Sequence, residues 1–86
     1  MNNTKKSYNG WKNRSTWNVS LWINNEECLY NSAVNYKNKR LEQNKKVTYS
    51  GFIRSNYMQD EKTPDNIKWI SNLLDYNALN EMIREI

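Results

Sequence analysis

Basic residues interleaved with aromatic ones are the feature of this sequence best suited to chemistry. Lys12 and Arg14 stand between Trp11 and Trp17, with Lys5 and Lys6 just upstream. Lys37, Lys39, Arg40, Lys45 and Lys46 form a second group, followed by Tyr49 and Arg54. Cations that reach phosphates, next to rings on which bases stack, are what nucleic-acid contact needs. Arginine and aromatic residues also dominate the energetics of protein interfaces. The charge is segregated along the chain. Residues 1–59 carry ten basic and three acidic residues, and residues 60–86 carry three basic and six acidic.

Other chemistries lack their residues. Histidine is absent and cysteine occurs once, at Cys28. A Cys/His zinc site, a Ser-His-Asp or Cys-His constellation and a disulfide framework within the chain are therefore excluded. Acid–base catalysis asks for carboxylates whose environments separate their pKa values. Glu26-Glu27 are adjacent, so on a helix they point about 100° apart and read as a solvated first turn. Asp60-Glu61 reads as a polar turn. The sequence holds no Gly-rich phosphate loop and no helix-turn-helix, RNA-recognition or zinc-finger signature. No cofactor, no metal and no catalytic residue is expected, and the chain reads as a binding protein, not an enzyme.

The elements that position these residues follow from composition and spacing. Eighty-six residues with a net charge of +4 make one small domain. Aliphatic residues are few, and eleven aromatics, four of them Trp, must supply much of the core. Each large ring buries about 150–250 Å². Residues 1–7 read as a flexible N-terminus and residues 8–86 as the domain. Tyr8-Asn9-Gly10-Trp11 is a turn signal in which Gly10 is free to take positive φ. Ser15 or Thr16 is expected to cap a helix. Val19, Trp22, Ile23, Tyr30, Ala33 and Val34 then share one face at helical spacing, and Trp17, Leu21 and Cys28 share the opposite one. Two apolar faces on one helix imply either a sandwiched helix or a break. Asn24-Asn25-Glu26-Glu27 is the expected break, with Asn25 as the second cap. Cys28 is expected to be a packing residue.

Asn38 to Lys46 reads as a loop or an exposed helix end. Tyr49, Phe52, Ile53 and Tyr57 suggest a further helix, against which Gly51 counts about 1 kcal/mol. Thr63-Pro64-Asp65 can open a helix, yet Ile67 and Trp69 alternate with polar neighbours as a strand would. Asp75 caps a last helix with a stripe of Leu79, Met82, Ile83 and Ile86. The reading is a mainly α single domain, a bundle of three to five short helices with an aromatic core and one short extended segment near 66–70. No apolar run is long enough to span a membrane, and no secretory signal is seen. A cytoplasmic protein without membrane partners is expected.

Two segments resemble a known family. The run from Tyr8-Asn9-Gly10-Trp11 through Asn13-Arg14-Ser15-Thr16-Trp17-Asn18-Val19, Leu21-Trp22-Ile23 and Glu26-Glu27-Cys28-Leu29-Tyr30 is similar to the N-terminal signature of an uncharacterised family of small phage and bacterial proteins, a GW-x-N-x-x-TWNV-x-LW pattern followed by acids. Thr63-Pro64-Asp65-Asn66-Ile67-Lys68-Trp69 resembles the family's TPDGVKW-like segment, with Asn66 where Gly is usual, and Leu79-Asn80-Glu81-Met82-Ile83 resembles its closing helix. Ser15 stands where Glu is commoner. The resemblance covers both ends of the chain, implies a helical phage-type protein and carries no activity with it. The Trp positions themselves read as core.

Phages use small single-domain proteins to block host defence enzymes. The function expected is a non-enzymatic inhibitor of a host defence system, of the CRISPR or restriction class, that binds a protein or ribonucleoprotein component. The alternative is a nucleic-acid binder or a protein that sequesters a nucleotide. Six Tyr against one Phe fits many half-exposed rings, since the hydroxyl end tolerates water. The expected contact residues are Lys12, Arg14, Lys37, Lys39, Arg40, Lys45, Lys46, Tyr49 and Arg54.

Overall fold

Asn13 starts the first helix. Its extended backbone precedes α1 (Arg14–Asn25), and its side-chain oxygen accepts the Thr16 N–H at 2.9 Å. This is an N-cap, worth about 1 kcal/mol, and it displaces the expected caps Ser15 and Thr16 by two or three residues. Those two lie inside the first turn, and Thr16 is fully buried. The computed structural model describes residues 8–86; the flexible segment expected at 1–7 lies outside the described residues.

The expected break falls at Glu26, one residue later than Asn25. Glu26 is extended (φ −99°, ψ 116°) and closes α1 while opening α2 (Glu27–Glu42). Its N–H donates to the Trp22 carbonyl at 3.0 Å, and its carboxylate accepts the Leu29 N–H at 2.9 Å. An acid suits a helix start, where the dipole is positive. The bend re-aims every side chain after it. That is why Cys28, assigned to packing by counting 100° steps through the break, is exposed, as is Tyr30. Helix α2 also runs through Asn38 to Glu42, where a loop or exposed helix end is expected, and closes on Asn44, whose positive φ suits a helix stop.

Helix α3 (Tyr49–Ser55) is capped by Thr48, whose hydroxyl accepts the Gly51 N–H at 3.0 Å. Gly51, an unfavourable residue in a helix, has a packing reason. A Cβ there would lie 2.3 Å from the Tyr36 hydroxyl of α2. That hydroxyl accepts the Thr48 N–H at 3.4 Å, and the Tyr36 ring packs on Phe52. Tyr57 is not part of α3; it lies beyond the cap at Asn56. Asp75 caps α4 (Tyr76–Glu85), as its sequence predicts, by accepting the Ala78 N–H at 3.2 Å.

Among the described residues these four helices and their connections make a mainly α domain. The segment near 66–70 is not a strand; an isolated bridge pairs Lys62 with Lys68. Val19 and Ile23 of α1, Phe52 and Ile53 of α3, and Leu79 and Ile83 of α4 meet in the core with no exposed surface. Tyr49 and Trp69 join them, and Trp11, Trp22, Tyr36 and Tyr76 pack around the outside. No helix among the described residues is long and apolar enough to cross a membrane.

Candidate binding surfaces

The polar residues of the aromatic signature are used internally. Asn18 is buried in α1. Its Oδ1 accepts the Thr63 hydroxyl at 2.7 Å, and its Nδ2 donates to the Asp65 carboxylate at 2.8 Å. The Trp22 indole N–H donates to the same carboxylate oxygen at 2.9 Å. Thr16 accepts the Asp75 N–H at 2.9 Å, and Asn13 donates to the Leu73 carbonyl at 2.7 Å. The two segments that resemble family signatures are thus halves of one clamp, which ties the loop from Thr63 to Asp75 onto α1. The hydrogen bonds from Asn18 and Trp22 hold the Asp65 carboxyl below the usual carboxylate range, with a smaller contribution from the charge of Arg14.

Asn66 holds a backbone conformation that favours glycine. It adopts φ +69° and its N–H donates to the Thr63 carbonyl at 2.8 Å. Glycine takes that conformation most easily, and asparagine is the next most tolerant. The Asn9-Gly10 pair behaves similarly. Both residues have positive φ, and Tyr8 and Trp11 exchange two backbone hydrogen bonds of 2.8 and 2.9 Å across them. Tyr8 then stacks on Trp17, with ring centroids 6.0 Å apart.

The nine expected contact residues do not form one surface. Tyr49 is a correction: it has no exposed surface, and its hydroxyl donates to the Trp69 carbonyl at 2.6 Å. Burial, with Tyr76 nearby, pushes that hydroxyl's pKa up. It is a core residue because α3 begins there and aims its first ring inward. Lys37 and Arg40 are half-buried and occupied with the fold. The Lys37 ammonium donates to the Ile86 carbonyl. The Arg40 guanidinium donates to the Lys46 carbonyl at 2.7 Å and lies 5.8 Å from the centre of the Tyr36 ring.

The remaining six are exposed but divided. Lys12 and Arg14 lie at the start of α1, beside the clamp. Lys39, Lys45 and Lys46 lie at the end of α2 and the turn after it. Helix α4 separates these groups: its cap Asp75 meets Thr16 and its far end meets Lys37. Ten helical residues span about 15 Å. Arg54 stands on α3, which returns along α2 so that Asn56 accepts the Ser32 hydroxyl at 3.0 Å.

Beside Lys39, Lys45 and Lys46 stands the main apolar residue of that polar, basic segment. Leu41, in the last turn of α2, is 57% exposed. Leu73, at 66% exposed, is the other strongly exposed aliphatic side chain among the described residues, and it lies in the loop before α4. A second feature is an open cleft of about 570 Å³ between the Asn9–Trp11 turn, the α1–α2 bend and α4. Trp11, Tyr30, Glu81, Met82 and Glu85 line it. Glu81 falls within the segment that resembles the closing helix and Glu85 outside it, and that helix reads as core-forming, so their position in space is what singles the two acids out.

Four helices, with a long loop clamped onto the first of them, make a small mainly α domain. The chain belongs to DUF7249, a family of unknown function, whose family profile matches residues 4–86. No curated protein and no solved structure matches it.

Proposed function

We propose that this chain is a non-enzymatic, phage-type protein that inhibits a host defence system, of the CRISPR or restriction class, by binding one of its protein or ribonucleoprotein components. The observation that carries this reading is the end of α2, where exposed Leu41 lies among exposed Lys39, Lys45 and Lys46. An apolar anchor ringed by charges is the usual anatomy of a contact patch, with the anchor supplying affinity and the rim supplying steering. None of these four side chains belongs to the core, so the fold gains little from them. The phage-type assignment is supported by the two signature segments; sixteen Asn in 86 residues fit an AT-rich genome, whether of a bacterium, a plasmid or a phage.

The test is phage plating on bacteria that carry a CRISPR or restriction system. Expression of the chain raises plating of a targeted phage by ten-fold or more. The combined variant Lys39→Gln, Lys45→Gln and Lys46→Gln loses that rise while melting at the same temperature. No rise against any such system contradicts the proposal.

A second reading, nucleic-acid binding, is favoured by one observation. Tyr57 is 82% exposed and lies three residues after exposed Arg54, a ring and a cation free to meet a base and a phosphate. That reading requires affinity for a single-stranded oligonucleotide that falls steeply with salt and is lost in Tyr57→Ala.

A further inference from the structure

The cleft beside α4 has a chemistry opposite to that of the α2 end. Glu81 and Glu85 are one helical turn apart on the same face, both exposed, with Met82 between them. Trp11 and Tyr30 belong to the same lining. Its volume of about 570 Å³ falls in the range of about 300–1,000 Å³ typical of ligand sites.

The two carboxylates are placed against local preference. Like charges four residues apart on a helix repel. Glu85 is also the last residue of α4, where the helix dipole favours a cation. Lys37 satisfies the Ile86 carbonyl at that end, not these side chains. Arg84 is the one basic residue of that turn, and its guanidinium donates to the Val47 carbonyl at 3.2 Å; local conflicts such as that between the two acids occur at functional sites.

We propose that this cleft receives an arginine-bearing segment of the partner protein, with the guanidinium set against the Trp11 and Tyr30 rings and paired with Glu81 and Glu85. The inference rests on the reading that the chain acts by binding a protein, and it adds a second, acidic contact to the basic one. Arginine fits better than lysine. Its planar guanidinium can lie on a ring and pair with a carboxylate through two parallel hydrogen bonds, whereas an ammonium is a compact, strongly hydrated point charge. A bound cation would also relieve the repulsion between the two acids.

The experiment uses the full chain and three end-capped glycine-spaced peptides, carrying two arginines, two lysines or two citrullines. Binding is followed by NMR at the Trp11 indole N–H and the Met82 methyl group. The arginine peptide shifts both signals in a saturable way, the lysine peptide binds several-fold more weakly, and the citrulline peptide leaves them unmoved. The double variant Glu81→Gln, Glu85→Gln keeps the spectrum of a folded chain and binds the arginine peptide at least ten-fold more weakly. Unshifted signals, equal binding of citrulline, or undiminished binding by the double variant would each overturn the proposal. Self-association abolished by that variant would also overturn it, because a second copy would then be the occupant. Failure here with defence inhibition intact removes the cleft alone. Peptide binding without any effect on defence removes the proposed function and leaves the cleft.

Discussion

The aromatic signature and the basic run are the two most conspicuous stretches of this chain, and the structure uses them in opposite directions. Asn13, Thr16, Asn18 and Trp22 turn their polar atoms toward Leu73, Asp75, Thr63 and Asp65. They hold a long loop to α1 and leave little to offer a partner. The basic run sends Lys37 and Arg40 back onto carbonyls of the chain and exposes Lys39, Lys45 and Lys46 with Leu41. A dense motif can therefore mark a joint in the fold, while the surface proposed to meet a partner is composed of ordinary residues.

Removing the centre of the clamp has the largest expected effect. Asn18→Ala leaves the Thr63 hydroxyl and the Asp65 carboxylate without their shared partner, at a cost of about 2–3 kcal/mol. For a domain of this size that lowers the melting temperature by about 10–20 °C, read by circular dichroism. Below its melting point the variant still captures a partner, because the α2 end is untouched. The triple lysine variant at the α2 end does the reverse. Its stability changes by less than about 0.5 kcal/mol, and its partner affinity falls by ten-fold or more, measured by titration calorimetry.

Two smaller effects sharpen the contrast. Tyr57 occupies the left-handed position after α3 (φ +57°), where Met58 N–H meets the Ile53 carbonyl and Tyr57 N–H meets that of Arg54. Glycine is the preferred residue there. Tyr57→Gly should stabilise the chain by up to about 1 kcal/mol in thermal unfolding, and a loss of nucleic-acid affinity alongside it would explain why the tyrosine stands there. The last effect is on acid stability. The Asp65 carboxyl is held below its ordinary 3.8. Its contribution is therefore present above that value and is lost as pH falls through the lower folded-state pKa. Asp65→Asn should flatten the stability–pH profile in that acidic window and leave its shape near neutrality unchanged.

The local elements were legible wherever a cap and a stripe agree. Asp75 with Leu79 and Ile83 announces α4, and the break near Glu26 follows from the two apolar faces. Cys28 and Tyr30 were misplaced because helical counting assumes an unbroken axis, and Glu26 bends it. The loop from Thr63 to Asp75 carries both strand and helix signals because its order comes from α1, through partners some 45 residues away in sequence. Tyr49 stands close to basic residues in sequence, but its spacing with Phe52 and Ile53 belongs to the core, where it is fully buried. The cleft was invisible for a different reason. Trp11, Tyr30 and Glu81 come from three separate elements, and only their folding together makes a concavity.

The most direct test of the account is co-purification from a bacterial lysate, with and without nuclease, with the native chain and the Lys39→Gln, Lys45→Gln, Lys46→Gln variant side by side. The account predicts that the native chain retains a defence protein in stoichiometric amount and that the variant retains at least ten-fold less at equal folding. Equal recovery by both, or recovery of nucleic acid alone that nuclease removes, would contradict it.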